Sequence, residues 1–373
     1  MSQRFLSEEF WSARENELLL PAYAEIDSGE VDAALDRAGI VGAVLFRTSG
    51  TTGTPRLVCH LREGLLDSAH AVNAHLNVTE QDVWIHALPV FHVDGFAIYA
   101  RAYLSGSTVY DLDCEWDPAG FVECCEKQRG TLASLVPTQV YDLVQGQHSC
   151  PQSLRAVLVG GGDLPRPLES QARELGWPIL RTYGLSEAAS QVATQSDGQA
   201  MLVLPHLEAE IGDEGTLSLR GRALCKGYLT QDAQGTWIYE GAVDENGWFQ
   251  TDDLVALAGG ELRFLGRKSS KVKVLGELID LDALERAFLE SANEALDVAL
   301  VDVPDARSGS ALILAIGADR DQAWIESLVQ AFNATVAGFE RISRVVPIGS
   351  IPRGELGKIR RRALREQVIE AGK

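Results

Sequence analysis

The sequence predicts an α/β protein: a large N-terminal domain with mainly parallel, helix-covered sheets and a small β subdomain, followed by an α+β C-terminal domain. Three observations carry that expectation. From Val41 to about Thr182 short apolar runs alternate with amphipathic stretches, the pattern of parallel strands connected through helices. Beyond Gln191 the texture changes to short, glycine-rich strands. After a polar, basic stretch at 266–273, helical and strand patterns return.

Taken in order, Val83–Leu88, Ser107–Leu112, Thr131–Val136 and Leu154–Val159 read as strands, with helices at Pro118–Gln128 and Pro165–Leu175 between and after them. Pro178–Thr182 is a further strand-like run. Gly215–Arg220 and Glu261–Leu265 belong to the small β part, and Gly266–Lys273 reads as a linker. The C-terminal part then shows a helix near Asp282–Ser291, strands at Asp297–Val303 and Ala311–Ile316, and a helix from about Gln322 to Val336. Ligands of such folds bind at the carboxyl ends of the strands. A hydroxyl-rich loop after Phe46, a Gly160-Gly-Gly162 turn and a segment at Tyr183 all lie at expected strand ends, where they can converge on one crevice.

Bulk properties narrow the function. Hydrophobic residues at 46% and charged residues at 23% suit a globular enzyme with an ample core. A formal charge of −20 argues against general affinity for nucleic acid or anionic membrane, so an anionic substrate needs local positive charge. Lys358, Arg360, Arg361, Arg362 and Arg365 crowd one short segment, which by itself reads as a solvated helix face. The six cysteines, at 59, 114, 124, 125, 150 and 225, show no zinc-like spacing and read as reduced thiols. The first residues lack the apolar core of a signal peptide and no apolar run is long enough to cross a bilayer, so the expected location is the cytoplasm, without membrane insertion.

Residues Arg47 to Arg56 read Arg-Thr-Ser-Gly-Thr-Thr-Gly-Thr-Pro-Arg, with two glycines and five hydroxyl side chains behind the apolar run Val41–Phe46. Glycine frees backbone amides and short hydroxyls donate, which makes an anion cradle fit for a polyphosphate. A polar turn between two strands is the alternative reading. No Gly-Lys-Ser/Thr follows Gly50 and Gly53, and no Gly-x-Gly-x-x-Gly follows a strand, so neither common phosphate-binding motif applies.

Three further segments follow in order: Tyr183-Gly-Leu-Ser-Glu187, Gly247-Trp-Phe-Gln-Thr-Asp-Asp-Leu254 and Gly357-Lys-Ile-Arg360. With the hydroxyl-rich loop they resemble the signature segments of the adenylate-forming superfamily of acyl-CoA synthetases, luciferases and peptide-synthetase adenylation domains, over nearly the whole chain. The resemblance implies a large adenylation domain over 1–266 and a mobile lid over 267–373, with a hinge near 267–270. It implies ATP, Mg2+ and coenzyme A as cofactors and a small carboxylic acid as substrate, and it leaves room for a homodimer.

By the same resemblance Thr48, Ser49, Gly50, Thr51, Thr52 and Gly53 are the phosphate loop, closed by Arg56 where relatives carry lysine. Glu187 is the magnesium-associated acid, and Ser186 keeps the hydroxyl of a commoner threonine. Tyr183 is the aromatic that stacks on adenine, Gly184 beside it belongs to the same nucleotide-binding segment, and Gly160, Gly161 and Gly162 let backbone approach the base. Asp253 takes the ribose hydroxyls with Arg267; Asp252 fills a glycine position, tolerable even at positive φ. Ser269 stands where many relatives carry a hinge aspartate. Lys358 is the adenylation lysine, His92 the aromatic gate of the acyl pocket, and Lys273 with Gly276 lines the site in the thiol-transfer pose.

Phe91–Gly95, Ser134–Gln139 and Leu154–Gly162 are most similar to the o-succinylbenzoate–CoA ligases among these enzymes. Only 47 residues precede Thr48, which implies a reduced N-terminal subdomain. Three rival readings stand beside this one. Gly184-Leu-Ser-Glu-Ala188 approaches a nucleophile elbow, but His206 is the one histidine after it and follows too soon for a hydrolase triad. A nucleotide-binding relative without catalysis, and an adenylating enzyme that transfers to a carrier-protein thiol, both remain open at this point.

Overall fold

Leu132–Leu135 and Ala156–Val159 are buried at every position, as strands covered on both faces must be. The computed structural model describes residues 2–22, 24, 26–49, 55–112, 115–196, 200–212, 215–268, 271–275, 277–305, 308–317, 321–354 and 357–371. In it these two runs are central among five parallel strands, side by side in the order Thr108–Asp111, Val83–His86, Leu132–Leu135, Ala156–Val159 and Ile179–Leu185. Helices Val93–Ser105, Pro118–Gln128, Pro137–Gln145 and Arg166–Glu174 connect them. Pro118–Gln128 has the limits its sequence predicts: the Asp117 carboxylate accepts the Gly120 N–H at 2.7 Å at its start, and Arg129 ends it at φ 53°.

The Ile179–Leu185 strand runs past the expected Thr182 because it changes partner. Up to Arg181 it pairs in parallel with Ala156–Val159, and from Thr182 it pairs antiparallel with Ser190–Gln195. Gly184 permits the switch, since a Cβ there would lie 1.8 Å from the Ser190 carbonyl oxygen. The short strands after Gln191 are shared between two sheets. Most continue this sheet in antiparallel fashion to eleven strands, while Gly227–Gln231 and Trp237–Gly241 join Glu17–Leu19, Ala43–Ser49 and Pro55–Leu61 in a second, five-stranded sheet. Ala43–Ser49 and Pro55–Leu61 are antiparallel with Ser49 opposite Pro55, so the hydroxyl-rich segment joins the two strands of a hairpin. Phe5 and Trp11 pack on Phe96, Tyr99 and Tyr103 and tie the first residues to the Val93–Ser105 helix.

The C-terminal part has its own sheet, Val298–Asp305, Gly309–Ile316 and Ile342–Pro347. Helices Leu281–Ala292 and Gln322–Asn333 fill one face through Phe288 and Phe332, and Arg361–Ala371 fills the other through Leu364 and Val368. Two expectations need correction. Strands occupy most of the described parts of the stretch 266–273: the Glu261–Arg267 strand runs into it, and Lys271–Val274 pairs with Glu277–Asp280. The basic run is not one solvated face either. Arg361 pairs with Asp282 and Glu285, and Arg365 reaches Asp302 at 3.0 Å; Arg362 alone meets its partner, Glu366, at the open surface. No helix among the described residues is long and apolar enough to cross a membrane.

Candidate active site

Asp253 is 5% exposed, in the Trp248–Ala258 strand directly opposite Arg267. Register alone therefore makes the pair: Arg267 Nε lies 2.8 Å from Asp253 Oδ1. The Tyr183 hydroxyl donates to Oδ2 at 2.6 Å from the neighbouring sheet region, and its ring stacks on Phe264 with centroids 5.9 Å apart. Burial, then the Asp253 charge, pushes the Tyr183 phenol well above its ordinary value, so it remains a donor. Burial opposes the Arg267 charge, but Asp253 outweighs it and the guanidinium pKa rises. Asp252 lies in the same strand, exposed, and is not among the positive-φ residues.

Glu187 sits in the single turn Ser186–Ala188 that follows Tyr183 and Gly184. Its Oε1 accepts from Arg56 Nη2 at 2.7 Å and from the Tyr228 hydroxyl at 3.1 Å. Both contacts fall on Oε1, so among the described residues Oε2 is left for a cation. A hard divalent ion that bridges phosphates takes one or two carboxylates, and Glu187 fits that need; the described residues hold no cluster of three or more ligating side chains that would bind a metal without a nucleotide. The buried Thr48 hydroxyl has no partner among the described residues. Gly50, Thr51, Thr52 and Gly53 lie outside the described residues, as do Ser269 and Gly276, and the Ser49 side chain is likewise not described.

Gly160, Gly161 and Gly162 follow the Ala156–Val159 strand. A Cβ on Gly160 would meet Thr182 Oγ1 at 2.4 Å, and Gly161 takes φ 79°, so the turn before Tyr183 is closed to larger residues. His92 is the residue before the Val93–Ser105 helix, against Phe91 at 4.8 Å between centroids. Lys273 is exposed in Lys271–Val274, and no contact joins it to this cluster.

Lys358 comes from the C-terminal part. Its turn is closed by the Gly354 N–H donating to the Lys358 carbonyl at 2.7 Å and by Arg353 Nη1 donating to the Gly357 carbonyl at 2.9 Å. Gly357, at φ 69°, packs so tightly on Thr138 that a Cβ would lie 2.5 Å from its Oγ1. Lys358 is an exposed residue. Desolvation, then Arg267, lowers its pKa, while Asp94, Glu187 and Asp253 pull it up.

Sequence reading missed four neighbours. Arg101, in the Phe96–Tyr103 run of an apolar helix, is 1% exposed; its Nη2 reaches Ser190 Oγ at 3.5 Å, and Nε and Nη1 have no partner among the described residues. Ser190 in turn donates to Asp94 Oδ1 at 2.7 Å. Burial lowers the Arg101 pKa to about 10 against the pull of Asp94. The available signal was a lone charge inside an apolar helix. Asp94 and Tyr228 carried no such signal. His60 is wholly buried and donates from Nε2 to the Ser186 carbonyl at 2.7 Å; burial lowers its pKa to about 4, so it is neutral. That bond is to the backbone of Ser186 and not to its hydroxyl, which removes the geometry a serine nucleophile needs.

A family model described as AMP-binding enzyme matches residues 39–229. The 2-succinylbenzoate–CoA ligase of Bacillus subtilis (strain 168) is 31% identical over 291 residues, which cover 74% of this chain and 58% of the relative. The chain thus spans less than two thirds of that relative's length. Among solved structures, a variant of E. coli MenE with bound OSB-AMS is 29% identical with TM-score 0.71, covering 87% of this chain and 68% of that one. The Bacillus subtilis o-succinylbenzoate coenzyme A synthetase in complex with ATP and magnesium ion is 26% identical with TM-score 0.72, covering 87% and 69%.

Proposed function

The chain belongs to the AMP-binding enzyme family, and on that footing we propose that it activates a carboxylic acid with ATP and transfers the acyl group to the thiol of coenzyme A, with o-succinylbenzoate as the acid. The observation that carries this reading is the turn of Lys358, which the C-terminal part seats against the parallel-sheet region through the close contact of Gly357 with Thr138. Asp253 and Arg267 hold the ribose, Tyr183 and the Gly160–Gly162 turn hold adenine, and Thr48 with the loop to Arg56 meets the phosphates. When bound at Glu187, Mg2+ supplies neutralisation of the phosphate charge.

The acid's carboxylate oxygen attacks the α-phosphorus, and the bond to the bridging oxygen breaks with its electron pair leaving on pyrophosphate. Lys358 stabilises that developing charge, an interaction strongest in the transition state. In the second step the CoA sulfur attacks the acyl carbonyl and AMP leaves. The reading divides the chain into an adenylation domain, 1–266, and a lid, 267–373, that turns near 267–270 to bring Lys273 in for Lys358. His92 closes the acyl pocket in both steps.

The buried guanidinium of Arg101 supports an acid with a second anionic group, because its unpartnered N–H groups need an acceptor and an anion serves best. o-Succinylbenzoate carries two carboxylates. A panel of mono- and dicarboxylic acids, assayed for acid-dependent exchange of pyrophosphate into ATP and for AMP release with and without CoA, tests the whole reading. Exchange should require acid and be fastest with o-succinylbenzoate, and AMP turnover should require CoA. Exchange without acid, or none with any acid, overturns it.

A further inference from the structure

One aromatic side chain touches both charged groups at the phosphate end. The Tyr228 hydroxyl donates to Glu187 Oε1 at 3.1 Å, and the Arg56 guanidinium lies over the Tyr228 ring with its Cζ 4.1 Å from the centroid. Strand register explains the meeting. Tyr228 pairs with Val58, and Arg56 is two residues along the same strand, hence on the same face. Gly227, beside Tyr228, is packed closely on the next strand: a Cβ there would lie 2.1 Å from the Glu240 carbonyl oxygen. Glu187 arrives from the other sheet and is pinned there by its backbone: the Cys225 N–H donates to its carbonyl at 2.7 Å.

We propose that Tyr228 is the positioning residue of the phosphate end, its ring carrying Arg56 and its hydroxyl holding Glu187, so that one side chain sets the cation for the triphosphate and the carboxylate for Mg2+. The inference rests on the nucleotide-activating reading above. A guanidinium over an aromatic face keeps N–H groups for other acceptors, here Glu187 and, with nucleotide, phosphate oxygens. The hydroxyl bond to Oε1 leaves Oε2 to the metal. The two functions of the ring separate chemically: phenylalanine keeps the platform and loses the hydroxyl, whereas leucine loses both.

Calorimetric titration of wild type, Tyr228→Phe and Tyr228→Leu with ATP tests this, each once with Mg2+ and once in EDTA. Tyr228→Phe should bind ATP about tenfold more weakly with Mg2+, the loss of one hydrogen bond to a charged group, while its metal-free binding stays within about twofold of wild type. Tyr228→Leu should weaken both, by about tenfold in EDTA and about a hundredfold with Mg2+. Equal weakening of the two titrations in Tyr228→Phe, or none in either, overturns the proposal, as that pattern belongs to a packing residue. Should Tyr228→Leu fail to fold, the Tyr228→Phe pair of titrations decides alone. Wild type that binds no ATP overturns this inference; wild type that binds ATP but shows no acid-dependent exchange overturns the proposed reaction and leaves the role of Tyr228 standing on its binding data.

Discussion

At the two ends of the five parallel strands, polar side chains are treated in opposite ways. At the amino ends they close on one another. Asp82 accepts from Arg155 at 2.8 and 2.9 Å, from Thr131 Oγ1 at 2.7 Å and from the Thr79 N–H at 2.9 Å, while Thr131 Oγ1 also accepts the Val83 N–H at 2.9 Å. At the carboxyl ends they are left with capacity to spare: His86 Nε2 and Arg101 Nε and Nη1 are buried without partners among the described residues, and glycines at 160 and 184 clear the backbone around Tyr183. A buried polar group without a partner lowers stability, so it persists where something else supplies the partner. The difference marks one edge as structure and the other as site, and substitutions at each should fail in different ways.

The largest effect is expected at the open edge. Lys358→Ala should slow acyl-adenylate formation about a hundredfold to a thousandfold, the usual loss for one charge-stabilising donor, and leave thioester formation from supplied acyl-adenylate largely intact. Equal loss in both half-reactions would contradict a lysine that serves only the first. The pH profile sharpens this. In the proposed reaction adenylation needs the ammonium, whose pKa is lowered by desolvation and by Arg267, so the rate should fall as pH rises through a value below the ordinary 10.5. Arg267→Gln removes a neighbouring cation and should move that falling limb to higher pH, whatever it does to the maximal rate.

Asp253→Asn tests the fixed corner beside it. The substitution leaves Arg267 and the Tyr183 hydroxyl facing a neutral amide, and loss of a charged partner weakens such bonds by about tenfold to a hundredfold. The proposed reaction holds the nucleotide through both steps, so both half-reactions should weaken together. That symmetry, set against the asymmetry of Lys358→Ala, separates binding from charge stabilisation.

A smaller and more selective loss is expected at Arg101. Arg101→Met keeps the bulk of the side chain and removes its donors, so KM for a dicarboxylic acid should rise about tenfold while KM for ATP is unchanged. An equal rise for mono- and dicarboxylic acids would mean that Arg101 packs and does not recognise.

These residues differ in how far the sequence revealed them. Tyr183, Glu187, Asp253 and Lys358 stand in short contiguous segments whose residue types already limit the chemistry, and the parallel strands were legible because burial on both faces leaves continuous apolar runs. Arg101, Asp94, Tyr228 and His60 enter through topology. Arg101 is delivered by a helix that crosses between parallel strands, and Tyr228 by a strand of the five-stranded sheet that follows strands of the eleven-stranded one in the chain. The stretch 266–273 misled for a local reason: its lysines alternate with valines in a two-residue period, but basic composition masks that pattern. Arg361 was hidden among solvated arginines because its partners, Asp282 and Glu285, lie on another helix.

The closed edge gives the smallest effect on chemistry and the clearest one on stability. Desolvation raises the Asp82 pKa, but the bonds from Arg155, Thr131 and Thr79 outweigh it and bring it from 3.8 to about 2. A carboxyl whose folded pKa is depressed stabilises the fold above its unfolded pKa and loses that contribution as pH falls toward the folded value. Wild type should therefore lose stability between about pH 4 and pH 2 through this group. Asp82→Asn, which cannot match an ion pair with Arg155, should lower unfolding free energy at neutral pH by about 1–3 kcal/mol and flatten that acid limb in urea titrations. Its acid-dependent exchange rate, measured where the protein is folded, should equal that of wild type, because the network lies a full strand length from the carboxyl ends. A matching fall in exchange would erase the distinction between the two edges.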